Sequence, residues 1–262
     1  ALHLLQNEPK PQLLQFLITE LLEIFTLLPP SNYASQVFNI IVEKLSNPAN
    51  NYTPDMVAML FSSLLSLAKD ESSIDVLRQI IDGKSQVHYL KDFKYSLSQH
   101  WNIIYLCQAS GKYTPEDKKA LVDNLANTDK TDSKKEWGLK IQGLQARGED
   151  RKNLINKVLK PEGMSYKEIE YLCNGLTSKL LPDDVREDYF EQYFNTFLEM
   201  FRNENANIAK TLRVYLMPSS ASKNDLILDR LGKIVSETKE NEAALKKSLL
   251  MVVDTARRRQ RL

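Results

Sequence analysis

Apolar residues recur at spacings of three and four along almost the whole chain, and that period admits few folds. Leu13, Leu14, Phe16, Leu17, Leu21, Leu22, Ile24 and Phe25 form one such series. Met56, Val57, Leu60, Phe61, Leu64, Leu65 and Leu67 form another. An α-helix gathers residues at these offsets on one side, whereas a strand would need strict alternation. No alternating Val, Ile and Thr run of strand length stands out. Glycine points the same way: 8 in 262 residues, about 3% against a usual ~7%. β-proteins spend glycine on hairpins and bulges. The expected class is all-α. About a dozen helices in one chain stack as antiparallel pairs, so an irregular right-handed superhelix of the HEAT or armadillo kind is expected, as one domain over residues 1–262. No fixed-period repeat of the tetratricopeptide or ankyrin kind is present.

Punctuation residues set the helix boundaries. Pro29-Pro30 stops the first helix, and a second is predicted from Ala34 to Leu45. Asn47 to Asn51 reads as a turn, and Thr53-Pro54 as an N-cap followed by a first-turn proline. Four pairs have capping-box spacing: Ser72 with Asp75, Thr114 with Asp117, Ser165 with Glu168, and Ser222 with Asp225. Gly83, Gly111 and Gly148 are expected as left-handed C′ caps. The charged stretch Ala126 to Lys135 reads as a helix connection.

Charge narrows the partners. With 35 basic and 34 acidic residues the net charge is +1, which gives no global reason to expect nucleic acid. No apolar run approaches the ~18 residues of a membrane span, so no membrane partner is expected. The two cysteines, Cys107 and Cys173, lie far apart and match neither a disulfide framework nor a zinc spacing. A reducing compartment, the cytoplasm, is the expectation. The opening residues lack the basic and apolar regions of a signal peptide, and the missing initiator Met is compatible with a piece of a longer chain.

The chain carries few residues of catalytic type in catalytic spacing. His3, His88 and His100 are scattered, and none lies in the H-E-x-x-H helix that sets two imidazoles on one face around zinc. Nucleophile elbows and glycine-rich phosphate loops are absent. Asp183-Asp184 and Glu187-Asp188 lie near the start of a helix predicted from Val185 to Phe201. There they complement the helix dipole better than they fit an acid–base pair. In the same helix Tyr189, Tyr193 and Phe197 run beside Phe190, Phe194 and Phe201. Helical spacing makes these core, with a stacking groove as the functional alternative. Lys246, Lys247, Arg257, Arg258, Arg259 and Arg261 read as the cationic end of a final helix through Leu245, Leu249, Val252 and Val253, with an anion or nucleic-acid patch as the sharper alternative. The opening helix is apolar around much of its circumference, as an incompletely capped end would be. No catalytic, cofactor-binding or metal-binding residue is expected in the chain itself.

Several segments, in order, resemble one family. Leu67-Ala68-Lys69-Asp70 through Leu77-Arg78-Gln79-Ile80-Ile81-Asp82-Gly83 resembles a leucine-bearing helix ending in Asp-Gly. Gln99-His100-Trp101 then leads to Leu106, Gly111 and Lys112, with His100 where the family usually has Arg. Asp129-Lys130-Thr131-Asp132 precedes Trp137 as a helix start. Tyr193-Phe194 with Phe197, Ile208-Ala209 and Leu216-Met217-Pro218 follow, and the chain closes on Asp254-Thr255-Ala256-Arg257-Arg258. Together these look like the C-terminal helical domain of the aminopeptidase N family of zinc peptidases, bacterial branch, the domain shared with endoplasmic-reticulum aminopeptidases. The resemblance is firmer after Met56 than before it.

That resemblance implies a division of labour. The catalytic zinc would lie in an upstream domain of the same polypeptide, and this chain would hold no cofactor. It would be a non-catalytic cap that encloses the active-site chamber and limits which peptide substrates enter. A free-standing helical scaffold for partner proteins is the alternative.

Overall fold

The computed structural model describes residues 2–8, 10–27, 32–186, 188–203, 211–212, 215–216, 224–239 and 242–260. They form helices, turns and short connections, and no strand occurs among them. The chain divides into two compact units, Ala1–Lys134 and Lys135–Leu262. The division falls within the charged 126–135 stretch.

The first unit is built from α1 (Leu2–Asn7), α2 (Pro11–Leu27), α3 (Asn32–Ser46), α4 (Pro54–Leu67), α5 (Glu71–Ile81), α6 (Leu97–Ala109) and α7 (Pro115–Thr128). Neighbours along the chain pack together: α3 on α4, α5 on α6, α6 on α7. Helix α2 also packs on α4, and α1 on α3. The apolar series of α4 explains this. Met56, Val57, Leu60, Phe61, Leu64, Leu65 and Leu67 are all buried, so α4 is covered on more than one side. Thr53 caps α4 through Met56 N–H, and Pro54 occupies the first turn, where a missing donor costs nothing. Trp101 of α6 is fully buried with Ile103, Ile104 and Cys107.

The ends of these helices show where local chemistry won. At α5 the cap is Asp70, whose carboxylate accepts from Ser73 N–H at 2.8 Å. Ser72 donates its hydroxyl to the same carboxylate at 2.7 Å, so the box expected on Ser72 is displaced by a stronger acceptor two residues earlier. At the other end Gly83 sits at φ 69°, and Lys84 N–H bonds back to Gln79 O at 2.8 Å while Gly83 N–H bonds to Ile80 O at 3.1 Å. That is a Schellman closure, and glycine relieves the strain of its left-handed residue. Gly111 is no such cap: it does not adopt positive φ, and its N–H donates to Glu71 Oε1 at 2.7 Å. Helix α6 is instead opened by a capping box of Ser96 and Gln99, and α7 by one of Thr114 and Asp117.

The second unit comprises α8 (Ser133–Gln145, less its first two residues), α9 (Gly148–Leu159), α10 (Tyr166–Leu176), the short α11 (Asp183–Arg186), α12 (Phe190–Asn203), α13 (Asn224–Glu237) and α14 (Ala243–Gln260). Gly148 has φ 52°, yet it opens α9 and does not close α8. Ser165 and Glu168 form the box expected at α10. The expected box of Ser222 and Asp225 lies partly outside the described residues, and the Pro29-Pro30 stop lies wholly outside them. One core joins α9, α10, α12, α13 and α14 through Ile155, Leu172, Tyr193, Leu231 and Leu249. The single helix expected from Val185 to Phe201 is two helices. Asp188, between them, is held by the buried Arg151, whose Nε lies 3.1 and 2.9 Å from its two carboxylate oxygens.

Helices α8 and α10 cross at unusually close range. A Cβ on Gly175 would stand 2.1 Å from Lys140 O, and one on Gly143 would stand 2.6 Å from Leu172 O. Only two glycines facing each other allow backbones to approach so closely.

Candidate functional site

The three histidines stay apart in role. His3 shares a 3.1 Å hydrogen bond with Asn7 on the surface of α1. His88 lies in a single 3-10 turn, edge-on to Tyr89. His100 lies in α6 with its ring perpendicular to Tyr95 at 5.4 Å. Burial, and then the nearby Arg78 cation, lower the His100 pKa, so this imidazole is neutral at pH 7. Among the described residues no group of three or more His, Cys, Asp and Glu side chains is placed to hold a metal ion.

The acidic run after Pro182 serves packing. Asp183 pairs with Arg186 across one turn at 2.7 Å. Asp188 neutralises Arg151, a guanidinium only 1% exposed that also donates to Leu176 O at 3.0 Å. An arginine buried so far needs this pairing, since an unpaired charge would cost several kcal/mol. Glu187 lies outside the described residues. Arg151 escaped the sequence reading because its partner is 37 positions away.

The aromatic cluster is core. Tyr189, Phe190, Tyr193 and Phe194 are all buried, with Phe190 and Phe194 at 5.0 Å and Tyr193 edge-on to Phe194 at 5.3 Å. The Tyr189 hydroxyl donates to Leu216 O at 2.7 Å. The side chains of Phe197 and Phe201 lie outside the described residues.

A group of titratable side chains lies where α5 meets α6 and the turn that follows it. Lys112 reaches Asp75 at 2.8 Å, and the Tyr113 hydroxyl donates to the same oxygen at 3.2 Å. Lys112 accordingly holds the Asp75 carboxyl below its usual range. Arg78 clasps Asp82 one turn on, at 2.9 Å. Burial, and then the Cys107 and Asp75 charges, push the Tyr113 hydroxyl up, and burial carries the Cys107 thiol to about 12. Each of these cations faces a carboxylate, and the thiol is protonated at pH 7. The arrangement clamps two helices and a turn, and it offers no activated nucleophile.

Exposed apolar side chains mark the surfaces better placed for function. Among the described residues, the large exposed ones are Leu4, Leu13, Phe16, Ile24 and Tyr33 near the start, Leu226, Leu250 and Met251 near the end, and Tyr166 between. On α2, Leu14, Ile18 and Leu21 face inward, and Leu13, Phe16, Glu20 and Ile24 form a second stripe facing out. On α14, Leu245, Leu249 and Val253 face inward. Lys246, Lys247, Leu250, Met251, Asp254 and Arg257 lie outward. The sequence reading recognised the exposed character of α2 and the cations of α14, and it missed Leu250 and Met251. The signal was available: Leu249 to Val253 is an unbroken apolar run, which no helix can bury on one side. Lys246, Lys247 and Arg257 are exposed as a solvated helix end requires, and Arg261 lies outside the described residues. No helix among the described residues is long and apolar enough to cross a membrane. Compared with known proteins, the chain matches no family model and no curated protein.

Proposed function

We propose that this chain is the non-catalytic C-terminal helical domain of a zinc-dependent aminopeptidase of the aminopeptidase N kind, working in the cytoplasm. It encloses the chamber of an upstream catalytic domain and limits which peptides reach it. The zinc belongs to that upstream domain. One observation carries the reading: several of the segments that resemble the family fall on joints within one or other of the two units, while Ile208-Ala209 and Met217-Pro218 lie outside the described residues. Asp82-Gly83 is the Schellman end of α5. Trp101 bonds Asp129 Oδ2 at 2.8 Å, and Asp129 accepts from Thr131 N–H at 2.7 Å just ahead of α8. Tyr193 and Phe194 are core. Helices paired with their chain neighbours are also the raw material of a superhelical cap, which works by enclosure and water exclusion.

The test is capture of the native polypeptide that carries this sequence. The proposal expects a species much heavier than 30.1 kDa that removes N-terminal residues from short peptides, with an H-E-x-x-H helix upstream. The 262-residue chain alone is expected to turn over no aminoacyl substrate. A native species of this chain's own mass, without aminopeptidase activity, would overturn the proposal. The outward apolar stripes of α2 and α14 favour a second reading in that case, a free-standing helical scaffold for partner proteins.

A further inference from the structure

We propose that the chain associates head to tail with copies of itself, the outward stripe of α14 in one copy seating on the outward stripe of α2 in the next. All the large exposed apolar side chains described, Tyr166 apart, lie on α1 to α3 or on α13 and α14. Apolar side chains gathered on the exposed side of a helix invite a neighbour to cover them.

The two stripes match in length, chemistry and charge. Leu13 to Ile24 and Lys246 to Arg257 each cover twelve residues, about 16 Å of helix from first to last. Helix α2 carries Glu20 and Glu23 and no basic residue, whereas α14 carries five basic residues against the single Asp254. Glu20 decides the occupant. It stands within the apolar stripe between Phe16 and Ile24, so any partner that covers the stripe must bring a cation or bury a bare carboxylate. Helix α14 has that pattern, with Lys246 and Lys247 one turn before the exposed Leu250 and Met251. Because the two faces differ, the contact is heterologous. Each added copy presents a fresh head and a fresh tail, so the assembly grows unless it closes into a ring.

The inference goes beyond the cap-domain reading and does not depend on it. Sedimentation velocity of the 262-residue chain is expected to show mass rising above 30.1 kDa with concentration, and falling back when salt is added. Phe16→Ser blocks the head and Leu250→Ser the tail. Both positions are exposed, so both variants keep their helix content by circular dichroism. Each alone is expected to associate at least tenfold more weakly. Mixed in equal amounts, they retain one intact head and one intact tail. A species of twice 30.1 kDa and nothing larger is then expected. A chain that stays at 30.1 kDa at every concentration overturns the proposal. So does self-association that survives either substitution, or a mixture that fails to pair. None of these results bears on aminopeptidase activity in the native polypeptide, so the two proposals fail separately.

Discussion

The indole of Trp101 is fully enclosed, and its N–H donates to Asp129 Oδ2 at 2.8 Å. The other oxygen of that carboxylate accepts from the Thr131 N–H and hydroxyl, both at 2.7 Å. One side chain thus ties a helix interior to a turn 28 residues further along. Trp101→Phe keeps an aromatic ring but removes the donor and some volume, and should destabilise by about 2–3 kcal/mol. Asp129→Ala leaves the indole N–H buried without an acceptor and loosens the turn. The two losses should fall short of additive by about 1 kcal/mol or more in a double-mutant cycle on the urea midpoint. Strict additivity would mean that the bond contributes nothing. Trp101 and Asp129 could each be picked out in the sequence, but not their pairing, because no local rule links positions so far apart.

Helices α8 and α10 set two glycines of similar appearance to opposite uses. Gly138 lies within α8, and a Cβ there would meet nothing within 4 Å. Its flexibility is only a cost, so Gly138→Ala should stabilise by about 0.5–1 kcal/mol. Gly175 lies within α10 with Lys140 O 2.1 Å from where its Cβ would be, and backbone cannot step aside. Gly175→Ala must push the helices apart and should cost about 3 kcal/mol. Thermal unfolding of the two variants should therefore move in opposite directions, and equal shifts would contradict the close crossing. The sequence shows both glycines inside helical patterns and cannot separate them. Caps are more legible, since Thr53, Thr114 and Ser165 act within three residues of themselves. The break between α11 and α12 is not legible, because Arg151 reaches it from α9. The same limit applies to the outward stripes. Amphipathic period shows that α2 has an inner face, but only its packing on α4 shows which of its apolar residues remain uncovered.

Each of the two units carries one buried cysteine, which makes the thiols reporters of the separate halves. Burial pushes both Cys107 and Cys173 well above the usual thiol range. In the folded chain neither should react with an alkylating reagent at pH 7, and labelling should appear only as its own unit opens. Mass spectrometry of peptides labelled through a urea series would give one opening curve per unit. Fast labelling of either cysteine without urea would contradict the burial.

Acid should weaken the first unit in two windows, with opposite proton chemistry behind each. His100 has its pKa lowered in the fold, so the unfolded chain binds the proton more readily. Stability from the neutral ring is therefore intact above the unfolded value near 6.5 and falls as pH drops through and below it. Asp70 acts lower. Burial alone would raise its carboxyl, but hydrogen bonds from Ser35 at 2.6 Å and from Ser73 and Ser72 outweigh that and hold it at about 2. A depressed carboxyl adds stability above its unfolded value near 4 and loses it as pH falls toward 2. Both groups thus favour the fold at neutral pH, and the urea midpoint read by circular dichroism should fall in two steps on acidification. His100→Asn should flatten the step below pH 6.5 and leave the lower one. Ser35→Ala removes one of the bonds holding Asp70 and should shrink only the step between about pH 4 and 2. If His100→Asn left the upper step unchanged, the neutral, half-buried imidazole would not be its source.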